Sequence, residues 1–569
     1  MTVNKTSAED FIYDPNTVAL IIDSEATDME SLRKNPDILL GPPMSGDYLI
    51  AYVNRDNVES VVTDIERYTS SIYPLVLGLL GEADLSAAGI SQVQNHPVLN
   101  LRGRGVLLGF VDTGIDYTQE AFKYEDGTSK IQYIWDQTIP GKPPEGYLYG
   151  SEYTNAEINA ALKSDDPKRT LPHTDRGGHG TFLASLAGSR AAGASAGAAP
   201  DAEIVMVKMR RAKPSDYKRF LIPSSQENAF ASNDFMLGVQ YIASKAQELK
   251  RPAAICISVG TNLGSHDGFT TLERYLYRIS SIIGTAVCAA AGNESQVGHH
   301  IQGKLALTGS TQDIELRVSD KQQDVYITVW NNATDRLSVS VKSPAGEIVS
   351  RVPARSGISY TSQMVLERAS VTVEYLFPVE SSGGQLTRVK ILSATPGVWT
   401  VTVYGDLVLD GAYHAWLPLT GFIDPGTVFL SPTPYGTVVT PGTSLGIIAC
   451  GAYDVQTGGL YSASSWGPSR LPATKPDLAA PGVKVGGIFP TGLGSMSGTS
   501  AAAAITAGAC ALLLEWGIVQ KNDTSLDSFR VRATLIAGCA RDPNIEYPNN
   551  QWGYGKLDLM NTFRTLRPL

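Results

Sequence analysis

Cysteine is scarce in this sequence, and no two cysteines stand near each other. The 569 residues contain five, each inside an apolar stretch, and the spacing C-x-x-C does not occur. This excludes a disulfide-dense scaffold and a zinc site built on closely spaced thiolates. Buried free thiols are the expected state of the five, and they favour a reducing compartment.

Positive charge is also in short supply. Lysine and arginine number 46 against 56 aspartates and glutamates, and the acidic residues are scattered rather than grouped. Because nucleic-acid binding needs a basic surface, the net charge of −10 argues against a nucleic-acid partner. Hydrophobic residues make up 43% of the chain, and no low-complexity tract occurs, so the composition is that of a folded protein.

Segments that would direct the chain to a membrane are missing or short. The N-terminus, MTVNKTSAEDFIYDPN, lacks the basic and then apolar layout of a secretory signal, so we expect synthesis without Sec export. One candidate membrane span runs from Ala501 to Leu514, where only Thr506 is polar, and Glu515 follows it. It is shorter than the roughly 20 residues that cross a bilayer, so we expect a buried core helix and no membrane span.

The pattern of apolar residues changes along the chain and predicts four segments. A strand over 47–53 and a helical period over 58–68 predict a small N-terminal α/β unit. From Gly103, continuous apolar strands alternate with helices, which is typical of a parallel sheet with helices on both faces. Short strands separated by turn signals then predict an inserted all-β sandwich or jelly roll. The predicted domains are 1–94, 95–301, 302–430 and 431–569, and the second and fourth form one α/β domain.

Four short motifs lie at strand ends or helix starts, where parallel-sheet proteins place their ligand sites. They are VDTGID with Asp112, GGHGTFLASLAG with His179, AAAGNES with Asn293, and GTSAAAA with Ser500. Each has an ordinary explanation when taken alone: a strand-end aspartate, a structural histidine, a Gly-Asn turn and a helix cap. An aspartic protease is excluded, because such enzymes pair two DTG motifs and this chain has one.

Taken together, the four residues match one mechanism. Serine becomes a nucleophile when a base takes its proton, the base needs a carboxylate to fix its tautomer, and the oxyanion needs preorganised donors. Asp112 would orient His179, and His179 would activate Ser500. The Asn293 amide would face the oxyanion, together with the Ser500 N–H at the positive end of the following helix.

These motifs, with ASSWGPS and KPDLAAPGV, resemble those of the subtilisin-like serine proteases and occur in the same order. The resemblance covers about residues 103–300 and 440–560. It implies a subtilisin-like parallel sheet in the α/β domain. It also implies the roles already assigned: Asp112, His179 and Ser500 as the catalytic triad and Asn293 in the oxyanion hole.

The same resemblance assigns the walls of the substrate cleft. SVGTNLG and AAAGN would line it, and the substrate-binding residues that it implies are Ser258, Gly260, Ala290 and Gly292. The glycines at 260 and 292 would flank the S1 pocket. The stretch between Asp112 and His179 is longer than in compact subtilisins, which predicts an extra loop near 124–138 that overhangs the cleft.

The N-terminal unit, the β insertion and the ending YPNNQWGYGKLDLMNTF resemble the clostridial Csp germination proteases, which are packaged in spores. That group implies a prodomain over residues 1–94 that assists folding, is removed by autocleavage and stays bound in the cleft. We place the cut after Gln94, in the turn-rich AAGISQVQNHP. The implied protein substrate is the proform of a cortex-degrading hydrolase, and the implied location is the spore cortex region.

Two other functions stay open at this point. Csp-type relatives include pseudoproteases, so a non-catalytic germinant sensor or scaffold on the same fold is one alternative. A general intracellular subtilase that degrades many proteins is the other. No cofactor is expected. Calcium is common in subtilases, but no cluster of oxygen ligands in the sequence points to a site, and no metal ligands are assigned.

Overall fold

The structure of the protein, a computed structural model, describes residues 5–25, 29–35, 38–58, 61, 73–79, 86–191, 196–380, 382–471 and 473–566. The α-helices within them are α1 Lys5–Tyr13, α2 Met29–Lys34, α3 Ile90–Gln94, α4 Asn155–Leu162, α5 Pro167–Thr170, α6 His179–Gly188, α7 Pro214–Phe220, α8 Ser232–Leu249, α9 Thr271–Ser280, α10 Thr499–Leu514, α11 Ser528–Gly538 and α12 Leu559–Thr565. The strands are β1 Thr17–Asp23, β2 Ile38–Leu40, β3 Tyr48–Asn54, β4 Val76–Leu79, β5 Leu107–Asp112, β6 Ile131–Asp136, β7 Ser151–Thr154, β8 Glu203–Lys208, β9 Phe230–Ala231, β10 Ala253–Ile257, β11 Val259–Gly260, β12 Thr285–Ala290, β13 His300–Lys304, β14 Thr311–Val318, β15 Val325–Asn331, β16 Arg336–Lys342, β17 Ile348–Val352, β18 Ser359–Met364, β19 Ala369–Leu376, β20 Gln385–Leu392, β21 Gly397–Leu407, β22 Ala412–Trp416, β23 Val428–Phe429, β24 Ile448–Tyr453, β25 Leu478–Pro481, β26 Val485–Phe489 and β27 Gly492–Met496.

An eight-stranded sheet forms the centre of the α/β domain. Its strand order is β25-β24-β12-β10-β5-β8-β6-β7, and every neighbouring pair is parallel except β6 with β7. Strands such as β5 and β10 are continuous runs of buried residues, because helices cover both faces. Helices α6 and α10 pack on one face beside Phe110, and α8 and α9 pack on the other beside Val111. The predicted parallel sheet with helices on both faces is confirmed.

The prediction of an overhanging loop near 124–138 is wrong. The later part of this stretch, Ile131–Asp136, is β6, which pairs with β8 on one side and with β7 on the other. Trp135 of β6 is fully buried and packs against the rings of Tyr147 and Tyr149, with centroids 4.8 and 5.5 Å away. Burial of that ring holds the stretch in the sheet, so these residues extend the core instead of covering the cleft.

The predicted β insertion is a sandwich of two antiparallel sheets. Its strands run from His300 in β13 to Phe429 in β23, close to the predicted bounds of 302–430. The sheet orders are β13-β22-β15-β20-β19-β18 and β17-β16-β21-β14-β23. Alternate residues of strands such as β19 and β21 point inward and form one apolar core around Trp399.

The N-terminal unit is a small antiparallel sheet, ordered β1-β3-β2, with an apolar core of its own. The strand predicted over 47–53 is β3, and the helix predicted over 58–68 lies almost entirely outside the described residues. Strand β4 leaves this unit and joins β11 and β9 in a three-stranded antiparallel sheet. The buried side chains of α3 belong to the core of the α/β domain, so residues 86–94 pack with that domain.

Helix α10 lies inside the α/β core, as the sequence predicted for its apolar run. Thr499–Val519 is the one helical stretch in the described parts of the chain that is long and apolar enough to cross a membrane, and 83% of its apolar window is buried inside the protein. Packing against the sheet and α6 therefore accounts for its composition. The five cysteines are likewise buried and free, which confirms the prediction of buried thiols.

A buried carboxyl, Glu273 in the first turn of α9, makes stability depend on pH. Its oxygens accept bonds from Thr270 and Thr443, but burial outweighs these bonds and raises its pKa to about 7. The unfolded chain loses this proton near pH 4.5, so the stabilising contribution is complete below that pH and is lost as the pH rises to about 7.

We expect Glu273→Gln to leave the free energy of unfolding nearly unchanged at pH 4.5 and to raise it by about 3 kcal/mol at pH 8. Urea unfolding of both chains at the two pH values measures this difference, with Ser500→Ala present in both to prevent cleavage. The exposed Glu30→Gln serves as the control, since its carboxylate is solvated. Equal differences at the two pH values would contradict the assignment.

Candidate active site

Asp112 is the last residue of β5 and lies at the carboxyl end of the parallel sheet. Its Oδ1 lies 2.8 Å from His179 Nδ1 and accepts the N–H of Thr113 at 2.7 Å, and its Oδ2 accepts the hydroxyl of Ser258. Burial acts to raise the pKa of Asp112. The charge and hydrogen bond of His179 and the bonds from Ser258 and Thr113 outweigh burial and hold the pKa below its ordinary value. The residue is therefore a carboxylate aimed at the imidazole.

His179 is the first residue of α6, and the glycines beside it let the helix start approach the Asp112 loop closely. Gly178 has a φ of +75°, a left-handed conformation that favours glycine. A Cβ on Gly180 would lie 2.2 Å from the carbonyl oxygen of Gly114, so no side chain fits there. Because Nδ1 is bonded to Asp112, Nε2 is the ring nitrogen that would take a proton from a nucleophile.

Ser500 is the second residue of α10 and is fully buried. Its hydroxyl donates to the carbonyl oxygen of Ser258 at 3.1 Å, and the hydroxyl of Ser258 donates to Asp112. Ser258 thus contacts both the predicted nucleophile and the predicted carboxylate, which places them in one group. The Ser500 N–H lies in the first turn of the helix, where N–H groups lack intrahelical partners and favour anions.

Asn293 follows β12 and is held by the start of α10. Its Oδ1 accepts the N–H and the hydroxyl of Thr499, at 3.1 and 3.2 Å. The Thr499 hydroxyl in turn accepts the N–H of Gly292 at 3.0 Å. Because the oxygen end of the amide faces Thr499, its NH2 end is turned away as a donor. Sequence analysis identified Asn293 and missed Thr499, although it stands directly before the serine in GTSAAAA.

Ser258 and Gly260, two of the predicted substrate-binding residues, lie beside a strand from the N-terminal part of the chain. Strand β4 runs antiparallel between β11 and β9, and Gly260 of β11 lies opposite Gly78. Ser258 stands directly before β11, so β4 runs toward the carbonyl group that accepts the Ser500 hydroxyl. A peptide strand therefore occupies this cleft.

The other two predicted substrate-binding residues lie at the end of β12. Ala290 is its last residue and is buried. Gly292 has a φ of +108°, and a Cβ there would lie 2.7 Å from Val439 and 2.8 Å from the hydroxyl of Ser465. Only glycine suits this position, and its N–H is the group that reaches Thr499.

The arrangement agrees with a comparison to known families. A sequence profile of the subtilase family matches residues 103–351 and 431–555. The chain belongs to the subtilase family. The stretch between the two matched segments lies almost entirely within the β sandwich, and sandwich strands β13 to β16 lie in the first matched segment.

Known subtilases resemble this one to different extents. The solved structure of the CspB protease of Clostridium perfringens is 32% identical and matches with a TM-score of 0.76, covering 85% of this chain and 99% of that one. The membrane-bound transcription factor site-1 protease of Mus musculus is 31% identical over 138 residues, and that of Homo sapiens is 30% identical. The shared part is 23% of this subtilase and 13% of the length of those relatives.

The structure does not bring Gln94 to the predicted catalytic residues of this subtilase. Its side-chain amide donates to the carbonyl oxygens of Gly197 and Ala198, at 3.0 and 2.8 Å. Ala198 packs against Gly508, about two turns of α10 away from Ser500. The segment in the cleft is β4, earlier in the chain, so the geometry gives no support to a cut after Gln94.

Sequence analysis also missed Asp175, which joins the Asp112 loop to the start of α6. It accepts the hydroxyl of Thr113 at 2.8 Å, the N–H of Gly178 at 2.9 Å, and the N–H and hydroxyl of Thr181 at 2.8 and 2.7 Å. An aspartate just before a helix that begins HGT was a visible capping signal. The carboxylate of Asp175 holds together the two segments that carry the Asp–His pair.

Proposed function

We propose that this subtilase is an autoprocessing serine endopeptidase that cuts its own chain between Leu80 and Gly81 and then acts on few protein substrates. The proposal depends on one observation: the chain's own strand β4 lies in the cleft and leads to Ser258, whose carbonyl accepts the Ser500 hydroxyl. A strand paired on both edges is how an extended peptide substrate is held.

The direction of β4 supports a particular bond as the one to be cut. Leu79 lies opposite Val259 in the antiparallel pairing of β4 with β11. Leu80 follows Leu79 in the sequence, and we propose the bond after it as the one that Ser500 attacks. Leu80 and Gly81 are outside the described residues, so the proposal depends on the direction in which β4 runs. It replaces the prediction of a cut after Gln94.

The chemistry follows from the bonds in the site. Ser500 would turn its hydroxyl from the Ser258 carbonyl to His179 Nε2, give up its proton and attack the carbonyl carbon of Leu80. The Asp112 carboxylate stabilises the imidazolium that forms. The Asn293 amide and the Ser500 N–H would bind the oxyanion, and the imidazolium would then give its proton to the leaving amine. Water would complete the reaction by releasing the acyl group from Ser500.

The cut should therefore yield a large fragment that begins at Gly81. We expect two bands from purified wild-type protein, and N-terminal sequencing together with intact mass fixes the boundary. A large fragment that begins at Asn95 would restore the cut after Gln94 and contradict the proposal. A single full-length wild-type band would favour the non-catalytic sensor or scaffold.

The N-terminal unit has contacts that would keep it bound after the cut. Tyr13 donates its hydroxyl to the carbonyl oxygen of Gln137 at 2.8 Å and packs edge-on against the Tyr149 ring. Arg210 donates to the carbonyl oxygen of Ile12 at 2.9 Å. None of these contacts involves the bond to be cut. We therefore infer that the N-terminal unit remains a bound partner and that β4 restricts access to the cleft.

The likeness to the CspB protease supports a narrow substrate range. We propose limited proteolysis of the proform of a cortex-degrading hydrolase during spore germination. Incubation of the processed protein with that proform and, separately, with casein tests this. We expect one defined cut in the proform and little loss of casein. Rapid casein digestion would favour the general intracellular subtilase.

A further inference from the structure

The cleft that holds β4 continues beyond the strand and runs under the β sandwich. We propose that the sandwich forms part of the substrate-binding cleft and contacts the side chains of the sixth and eighth residues on the N-terminal side of the cut. This inference rests on the proposed function. The ligand is an extended peptide with an aliphatic side chain at the sixth position and an aromatic one at the eighth. With Leu80 as the first position, these are Leu75 and Tyr73 of the protein's own chain.

The backbone ahead of β4 stays bound to the α/β domain. Within the β4–β9 pairing, Val76 lies opposite Ala231, and the contact continues one residue further to Leu75 and Ser232. The Ser232 N–H donates to the Leu75 carbonyl oxygen, and the Leu75 N–H donates to the Ser232 hydroxyl, both at 2.7 Å. The peptide is thus held as an added strand up to the sixth position.

A cavity of about 80 Å³ opens where this peptide meets the sandwich. Its walls come from three parts of the chain and include Tyr73, Leu75, Arg219, Phe220, Tyr326 and Trp330. Tyr326 of β15 packs edge-on against Phe220 of α7, with ring centroids 5.9 Å apart. The sandwich therefore contacts the α/β domain at the wall of this cavity. Leu75 and Tyr73, at the sixth and eighth positions, line the same cavity.

Arg219 gives the eighth position its preference for an aromatic ring. Its guanidinium carbon lies 3.1 Å from the centroid of the Tyr73 ring, and a ring face attracts a cation placed there. Burial lowers the pKa of Arg219, so the ring face stabilises a charge that has lost most of its water. A lysine in place of the ring would be repelled.

The other two charged residues that line the cavity are already paired. Arg388 of the sandwich lines the cavity and pairs with Glu374 at 3.5 Å. Glu380 also lines it and pairs with Arg274 at 3.8 Å. The wall next to the eighth position therefore keeps an excess of positive charge from Arg219, which selects against a cationic side chain.

Autoprocessing rates of full-length chains test the proposal. In a cell-free pulse-chase, we expect Tyr73→Phe to cut within twofold of wild type and Tyr73→Lys to cut about tenfold more slowly. Adding Arg219→Glu to Tyr73→Lys should restore the rate to within threefold of wild type, because the charges then attract. A wild-type rate in Tyr73→Lys, or no rescue by Arg219→Glu, overturns the proposal.

Substitutions in the sandwich test its contribution to the rate of autoprocessing. We expect Tyr326→Ala to slow the cut about fivefold in the wild-type chain and to add nothing in a Tyr73→Ala chain. Tyr360→Ala, at an exposed tyrosine elsewhere on the sandwich, is the control and should match wild type.

Melting temperatures of the same variants, measured with Ser500→Ala present, separate recognition from folding. If the autoprocessing rates of the variants fall in step with their melting temperatures and do not depend on the charge at position 73, the proposal is overturned. If wild-type protein itself is not cut, the proposed function fails. If wild type is cut and the variants match it, only the inference about the sandwich fails.

Discussion

Ser500→Ala is expected to leave the chain whole, because the substitution removes the hydroxyl that would attack the peptide in the cleft. Loss of the nucleophile in a Ser–His–Asp site lowers the rate by about six orders of magnitude, since the oxyanion donors alone supply little catalysis. A rate reduced that far gives no visible cut over days. Gel electrophoresis of the purified variant beside wild type should show one full-length band against two fragments.

The matched control is Ser495→Ala in the exposed hairpin just ahead of α10. It removes a hydroxyl five residues ahead of Ser500 and should be processed at the wild-type rate. His179→Ala should behave like Ser500→Ala, because without the imidazole no base takes the serine proton. Fragments from Ser500→Ala that match those of wild type would mean that another group, or a contaminating protease, makes the cut.

The α/β domain could be predicted because its strands are continuous apolar runs. GVLLGFVDTGID and GTAVCAAAGN lie in the middle of a sheet covered on both faces, so nearly every side chain is buried and the strand is visible without an alternating pattern. The β sandwich was visible for the opposite reason. Its strands alternate inward and outward residues, as β19 does, and turn signals separate them.

The catalytic candidates could be predicted because each follows a buried strand or begins a helix. Asp112 ends β5, Asn293 follows β12, and His179 and Ser500 begin helices. The residues that join them could not. Ser258 bonds to Asp112 and to Ser500, which stand 146 and 242 positions away, and no local spacing encodes such contacts.

Long-range pairing lay outside the reach of the sequence analysis. IQYIWD was assigned to a loop because the parallel partner that completes its pairing, β8, lies far along the chain. The prediction of a cut after Gln94 used the turn signals in AAGISQVQNHP, and no local signal indicated that β4 would pair with β9 and β11 in the cleft. Local signals identify where a chain can turn. They do not show which extended segment another part of the fold will accept as a strand.

Asn293→Ala is expected to slow autoprocessing by a factor of about 10² to 10³, because one of the two oxyanion donors is lost. The amide acts mainly on the charge that develops in the transition state, so the variant should still hold β4 and fold normally. The rate constant for loss of the full-length chain in a cell-free pulse-chase measures the effect. Unchanged melting of Asn293→Ala in a Ser500→Ala chain shows that folding is not responsible.

Thr499→Val then distinguishes the donor from the residue that positions it. Valine matches threonine in shape but can neither donate to Asn293 Oδ1 nor accept the N–H of Gly292. The amide stays in place but is less well aimed, so we expect a loss of about tenfold, smaller than for Asn293→Ala. With both substitutions present, the rate should equal that of Asn293→Ala alone, because Thr499 acts on the oxyanion only through the amide. Independent, multiplying losses would mean that Thr499 contributes to catalysis by another route, and a wild-type rate in Asn293→Ala would remove the amide from the oxyanion site.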